Sequence, residues 1–157
     1  MKRIGLWATG IGLMSCVGIG TVEFGYADEN EHERTCSQAT VKGRYLFFES
    51  GTYFPPAAGV TVESLFTRAG YRIFNGDGTG TGIGTTSVNG VVTNADLHSD
   101  FSYMINADCT GTIKVQVAPG VQATQEIFVA PNGDDMTVIA TDKGHVEAYS
   151  SWRVGPE

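Results

Sequence analysis

Hydrophobic and polar side chains alternate along most of the chain, in short segments that turn residues separate. The longest such segment runs from Val91 to Ile105, and Phe101, Tyr103 and Ile105 fall on one face of it. A period of two is that of a β-strand with one buried face. Dipeptides such as Asn89-Gly90 accept the backbone angles that hairpin turns need. The pattern predicts about eight strands and no helix after residue 27.

Strands that follow one another through tight turns form an antiparallel sheet. A sheet of this length avoids exposed edges by closing on itself, so we predict an all-β fold, an antiparallel up-and-down barrel of about eight strands. A two-sheet β-sandwich is the alternative. We expect one domain, from residue 36 to residue 154.

The segment from Arg44 to Phe54 carries apolar side chains on both faces. Its aromatic residues suit a pleated, buried surface, and Pro55 ends it because proline has no N–H to donate. We expect a strand that is buried on both faces, or one whose second face meets a ligand or a partner.

Two arginines share one face of the next segment, residues 60–74. Phe66 precedes Arg68 and Phe74 follows Arg72 on the same face. The two arginines could form an anion site inside a barrel. The favoured interpretation is a solvent-facing side on which the arginine stems cover apolar surface.

Four glycines alternate with other residues from Gly78 to Gly84, and a strand would place all four on one face. Such a face permits strong bending or the close approach of another group. Curvature of a closing sheet is the favoured interpretation. The spacing does not match a dinucleotide-binding loop.

The sequence gives only weak indications of a metal site or of acid–base catalysis. Asp96, His98 and Asp100 share a strand face and could hold a divalent ion or supply a general base with its orienting carboxylate. A solvated outer face is favoured because the opposite face is apolar. The turn that begins at Asn75 lacks an acidic residue at Thr86, where a calcium loop needs one. We expect no metal and no cofactor.

In the final segment, which begins at His145, we again take the face that carries the apolar side chains as the inner face. Val146, Ala148 and Trp152 share one face, which places Trp152 inside, and His145 is interpreted as a surface residue.

The N-terminal residues have the pattern of a secretory signal peptide, residues 1–27. A basic start, Met1-Lys2-Arg3, precedes an apolar run that ends at Val22, and small residues flank a cleavage position after Ala27. A membrane anchor is the alternative. We expect a mobile tail at residues 28–35 and a secreted or periplasmic protein. Lipidation at Cys16, in a lipobox-like Leu13-Met14-Ser15-Cys16, is a minority alternative.

Charge and cysteines narrow the setting. The formal net charge is −7, which argues against nucleic acid and against anionic membranes as partners. We expect no stable membrane insertion of the mature chain, and a homo-oligomer stays open. Cys36 and Cys109 remain after cleavage and are expected to form one disulfide.

Three motifs carry a family resemblance. They are Cys36-Ser37-x-Ala39-Thr40-x-x-Gly43-x-Tyr45, Phe74-x-Gly76-Asp77-Gly78-x-Gly80 and Tyr103-x-Ile105-Asn106-x-Asp108-Cys109-Thr110-Gly111. They resemble a group of small secreted bacterial proteins with lipocalin-like or allene-oxide-cyclase-like barrels. The resemblance implies small apolar ligands and, for the cyclases, ring closure inside the barrel. No catalytic residue of the cyclases matches this chain.

Three functions follow as hypotheses. The first is a secreted barrel that binds a small apolar or aromatic molecule through interior aromatic residues: Tyr45, Phe47, Phe101, Tyr103 and Trp152. The same side chains could instead fill the core. The second is a cyclase-like enzyme that uses inward polar groups, with Glu49, Arg68 and Arg72 as candidates. The third is a structural or interaction protein with a filled barrel and an exposed apolar patch.

Overall fold

The computed structural model describes residues 35–55 and 60–155, apart from the side chains of residues 94–97 and 118. The predicted signal peptide, Cys16 and the predicted tail lie outside the described residues, except for Thr35. Within the described part of the chain, no helix is long and apolar enough to cross a membrane.

Eight strands follow a short 3₁₀ helix at Gln38–Val41. The strands are β1 (Gly43–Tyr53), β2 (Ser64–Phe74), β3 (Thr79–Val88), β4 (Val91–Ile105), β5 (Thr110–Ala118), β6 (Val121–Val129), β7 (Asp135–Ala140) and β8 (His145–Arg153).

The sheet is a closed barrel in which each strand pairs with its neighbours in sequence. Strand β8 closes the ring by pairing antiparallel with β1, from Tyr45 opposite Arg153 to Tyr53 opposite His145. The predicted eight-stranded up-and-down barrel is therefore confirmed, and the two-sheet alternative is excluded.

One end of the barrel is covered by the 3₁₀ helix and by the β2–β3, β4–β5 and β6–β7 turns. Tyr103 ties the 3₁₀ helix to the β2–β3 turn, because its hydroxyl donates to the carbonyl oxygen of Gln38 at 3.1 Å and accepts from the amide of Gly76 at 2.9 Å. The predicted disulfide is present between Cys36 and Cys109. It fixes the segment before the helix to the β4–β5 turn.

The core fills the half of the barrel next to this covered end. Phe74 is at its centre, with ring centroids 4.9 Å from Phe101, 5.0 Å from Tyr103 and 5.2 Å from Tyr45. Ile113, Ile127 and Val138, among others, complete the buried cluster. Edge-to-face packing of this kind adds to the stability that burial provides.

The glycine face of β3 points into the barrel. Gly80, Gly82 and Gly84 are buried on that face. A Cβ atom at Gly80 would collide with the Phe101 ring, and one at Gly84 would lie 3.3 Å from Phe47. The glycines therefore make space for aromatic rings, which is the close approach that the sequence left as the second interpretation.

The inward faces of two strands differ from expectation. On β2, Arg72 is buried and Arg68 is partly buried on the inner face, so the favoured solvent-facing interpretation was wrong. On β8, Glu147 and Tyr149 point inward, whereas Trp152 is 44% exposed on the outer face. On both strands the more apolar face is not the inner one, because the barrel encloses polar side chains and exposes apolar ones.

The outer surface carries several large apolar side chains. Phe48 is 59% exposed and Leu65 is 62% exposed, on the neighbouring strands β1 and β2. Leu46, also exposed, pairs with Trp152 across β1 and β8. The first strand thus has a buried inner face and an exposed, apolar outer face, so the expectation of burial on both faces was wrong, and a partner on the outer face stays a prediction.

Candidate functional site

The barrel is hollow at the end opposite the 3₁₀ helix. A cavity of about 660 Å³ opens there. It lies among the inner faces of the strands, the ends of β3 and β5, and the loops that follow β1 and β7. The described pairing between β4 and β5 runs from Phe101 opposite Val115 to Ile105 opposite Gly111. Ser99 on β4 and Val117 on β5 lie outside this paired part, and both line the cavity.

Most of the wall is apolar. Its apolar residues come from β1, β3, β5, β6 and the loops, and they are Phe47, Val60, Ile83, Val88, Val115, Val117, Val121 and Ala123. Gly82 and Gly84 widen the space because they place no side chain in it. An apolar wall with a few polar groups is the usual composition of a small-molecule site.

Glu49, Arg68 and Arg72 form a charged cluster beside the cavity. Pairing of β1 with β2 places Glu49 opposite Arg68. Arg72 lies on the same inner face of β2 as Arg68, nearer the covered end of the barrel. A terminal nitrogen of Arg68 lies 2.5 Å from Glu49 Oε1, and one of Arg72 lies 3.8 Å from Glu49 Oε2. Both arginines line the cavity, and Glu49 is fully buried behind them.

A second series of polar contacts connects side chains of β8 and β6 with Arg72 on β2. His145 Nε2 lies 2.6 Å from Glu147 Oε2, and Gln125 donates to Glu147 Oε1 at 3.0 Å. Tyr149 donates to Gln125 at 3.1 Å and accepts a hydrogen bond from Arg72. The inward polar side chains therefore hold one another in fixed orientations.

The two buried carboxyl groups differ in acidity. Burial raises the pKa of Glu49 to about 7, and the charges of Arg72 and Arg68 oppose this only in part. Burial also acts to raise the pKa of Glu147, but the contact with His145, the hydrogen bond with Glu49 and the charge of Arg72 together outweigh it, and the pKa falls below its ordinary value. Glu49 is thus the carboxyl that changes charge near neutral pH.

Both groups also show incomplete hydrogen bonding. Neither oxygen of Glu49 accepts a hydrogen bond from a donor in the described part of the chain, although both lie near guanidinium groups, and its carboxyl group shares a hydrogen bond with that of Glu147. Buried polar atoms in this condition commonly mark sites that bind water or a ligand.

The predicted ligand-contacting residues divide by depth. Phe47 lines the cavity, whereas Tyr45, Phe101 and Tyr103 belong to the packed core beneath it. Trp152 is on the outer surface, so the expectation that it lines the interior was wrong. The predicted polar candidates Glu49, Arg68 and Arg72 do come together.

Sequence reasoning missed four inward residues: His145, Glu147, Tyr149 and Gln125. The available indication was Tyr149, an aromatic residue on the face of β8 that also carries His145 and Glu147. The register of β8 against β1, which sets Tyr149 opposite Glu49, gives the face directly.

His98 and Asp100 are exposed on the outer face of β4, as expected. Asp96 has no described side chain. Across residues 35–55 and 60–155, no group of three or more histidine, cysteine, aspartate or glutamate side chains could hold a metal ion.

Fold and site together define a closed eight-stranded antiparallel barrel, consistent with a lipocalin-like barrel, with a packed half and a hollow, partly charged half. No protein-family model, no curated protein and no solved structure matches the chain.

Proposed function

We propose that this protein binds a small, mainly apolar molecule in the open half of its barrel. The observation that carries the proposal is the cavity of about 660 Å³ with a largely apolar wall. This volume is within the range of sites that enclose small molecules, roughly 300–1,000 Å³. Release of water from the wall and from the ligand would drive binding.

The proposal predicts uptake of the neutral dye N-phenylnaphthylamine, whose fluorescence rises in apolar surroundings. Ala123 lines the cavity, and Ala123→Phe would fill part of it. We expect the variant to lose at least about tenfold in dye affinity, because the added ring and the dye compete for one space. Fluorescence titration measures this.

The matched control is Thr81→Phe, since Thr81 is exposed on the outer face of β3. It adds the same ring outside the cavity and should bind the dye like the wild type. Equal affinity in all three proteins would show that the dye binds elsewhere and would contradict the proposal.

One observation favours catalysis in the same cavity as a second candidate. His145 lines the cavity, and Glu147 lies against its Nε2 atom at 2.6 Å. A histidine oriented by a carboxylate can act as a general base. A molecule that co-purifies with the protein, identified by native mass spectrometry, separates the candidates when it is added back. A changed mass or chromatographic retention time of this molecule that is lost in His145→Asn indicates an enzyme, and recovery with both unchanged indicates a binding protein.

We also propose that the protein is secreted or periplasmic. The disulfide is compatible with an oxidising compartment. The intact mass of the protein from its source tests this, because cleavage after Ala27 leaves a chain that begins at Asp28. A lipid on Cys16 would give a heavier, membrane-bound product.

A further inference from the structure

The charged side chains that line the cavity are mainly basic, although the chain as a whole is acidic. Arg68, Arg72 and Lys143 line it, and Asp142 is the acidic residue among the lining side chains described. The formal net charge of the whole chain is −7. The buried carboxylates Glu49 and Glu147 are not part of the wall. The wall therefore presents more basic than acidic side chains, and the two carboxyl groups that contact them lie behind the wall.

Arg72 is held in place before any ligand arrives. It is 4% exposed, and its guanidinium carbon lies 4.9 Å from the centroid of the Phe47 ring and 5.3 Å from that of Tyr149. It also donates a hydrogen bond to the Tyr149 hydroxyl. A guanidinium that is already oriented and desolvated loses little freedom when it binds an anion.

Arg68 is oriented as well, from a position nearer the mouth. Its Nε donates to Thr86 Oγ1 at 2.9 Å, which fixes the plane of the guanidinium. One terminal nitrogen contacts Glu49 at 2.5 Å. Glu49 thus occupies the place of an anion between the two arginines without hydrogen-bond geometry to either.

We infer that Arg68 and Arg72 form a subsite for the carboxylate group of an otherwise apolar ligand, and that this carboxylate competes with Glu49 for the two guanidinium groups. The inference rests on the proposed function, because the apolar part of the ligand occupies the cavity described above. Arginine binds carboxylates through paired, charge-assisted hydrogen bonds.

Binding of such a ligand carries a proton with it. Two carboxylates beside the same arginines repel each other, so Glu49 takes a proton from solvent when the ligand enters. The titratable and charged groups that face Glu49 are Tyr53 on its own strand, Arg68 and Arg72 on β2, and His145, Glu147 and Tyr149 on β8. The affinity for the carboxylate should fall as pH rises above about 7.

Isothermal titration calorimetry with dodecanoate, dodecanol and acetate separates the parts of this inference. We expect dodecanoate to bind roughly tenfold or more tighter than dodecanol at pH 7, the effect of one or two charge-assisted hydrogen bonds. Acetate should bind weakly because it fills none of the apolar wall. Arg68→Gln should remove the preference for dodecanoate over dodecanol.

Arg44→Gln is the matched control. Arg44 is an exposed arginine on β1 that lies over Tyr71 outside the cavity. This variant should keep the preference for dodecanoate. A preference that survives in Arg68→Gln would overturn the inference, as would equal wild-type affinities for dodecanoate and dodecanol, and in the second case the proposed function stands. Failure of both to bind would overturn both, and acetate binding as tight as dodecanoate binding would contradict the apolar site alone.

Proton uptake provides a test that needs no arginine substitution. Titration of the wild type with dodecanoate at pH 8, in buffers of different ionisation enthalpy, should show uptake of most of one proton. Dodecanol should show none, and Glu49→Gln should abolish the uptake while it keeps the dodecanoate site. Zero uptake in the wild type would overturn the competition between the ligand and Glu49.

Discussion

Glu49 is a fully buried carboxyl group between two arginines and a second carboxyl group. Burial disfavours its charged form more than Arg72 and Arg68 favour it, so its pKa rises from 4.5 to about 7. Between these two pH values the folded protein keeps a proton that the unfolded chain has lost. The free energy of unfolding must therefore fall as pH rises through this window.

The prediction is that Glu49→Gln removes this fall, because glutamine cannot ionise. Thermal or denaturant unfolding from pH 4.5 to pH 7.5 measures it. The pKa difference corresponds to on the order of 3 kcal/mol in the wild type. Glu126→Gln, on the exposed face of β6, should keep the wild-type pH dependence. An identical slope in wild type and Glu49→Gln would contradict the account.

Glu147 acts in a different window. Its folded pKa is lowered, so its contribution to stability is present above its unfolded pKa and is lost as pH falls through the folded value. That loss occurs below the range in which Glu49 acts. The two carboxyl groups can therefore be distinguished by pH alone.

Among the strands, β3 depends on glycines on its inner face, where a side chain would meet neighbouring groups. A Cβ atom at Gly80 would lie 2.5 Å from the carbonyl oxygen of Ile73 and would overlap the Phe101 ring. A Cβ atom at Gly82 would meet the Ser99 hydroxyl at 3.2 Å, and that side chain can rotate away. Equivalent substitutions on one strand face thus have different consequences.

We expect Gly80→Ala to lower the free energy of unfolding by about 1–3 kcal/mol, the usual effect of overpacking. Gly82→Ala serves as the control and should change it by less than about 1 kcal/mol. Urea unfolding of both variants gives the comparison. Equal losses would mean that the Phe101 ring does not restrict Gly80.

The strands themselves could be predicted because local residues set them. Turns such as Asn89-Gly90 and Pro119-Gly120 limit the strands, and on β4 the apolar face with Phe101 and Tyr103 is buried as predicted. The inward faces of β2 and β8 could not be predicted. Arg72 is satisfied by Tyr149, which is distant in sequence, and Trp152 faces outward on an apolar surface. Alternation gives two faces but does not say which one a polar interior requires.

At the scale of the whole molecule, the covered half stabilises the fold and the hollow half is available for binding. The disulfide belongs to the covered half and joins residues 73 positions apart. A cross-link across such a loop restricts the unfolded chain by an amount worth about 4 kcal/mol in the chain-entropy model.

We therefore expect Cys36→Ala/Cys109→Ala to unfold about 4 kcal/mol more easily than the wild type. Dye binding should be unchanged while the variant is folded, because the cavity lies at the other end of the barrel. Denaturant unfolding gives the first quantity and N-phenylnaphthylamine titration the second. A stable variant that no longer binds dye would contradict the division of the barrel into two halves.

A crystal structure of the protein with dodecanoate would show what the hollow half of the barrel binds. We expect a single extended chain in the cavity, with its apolar part against Phe47 and Val115 and its carboxylate against Arg68 and Arg72. Density for the ligand on the outer face, or a cavity that contains only water at saturating dodecanoate, would contradict it.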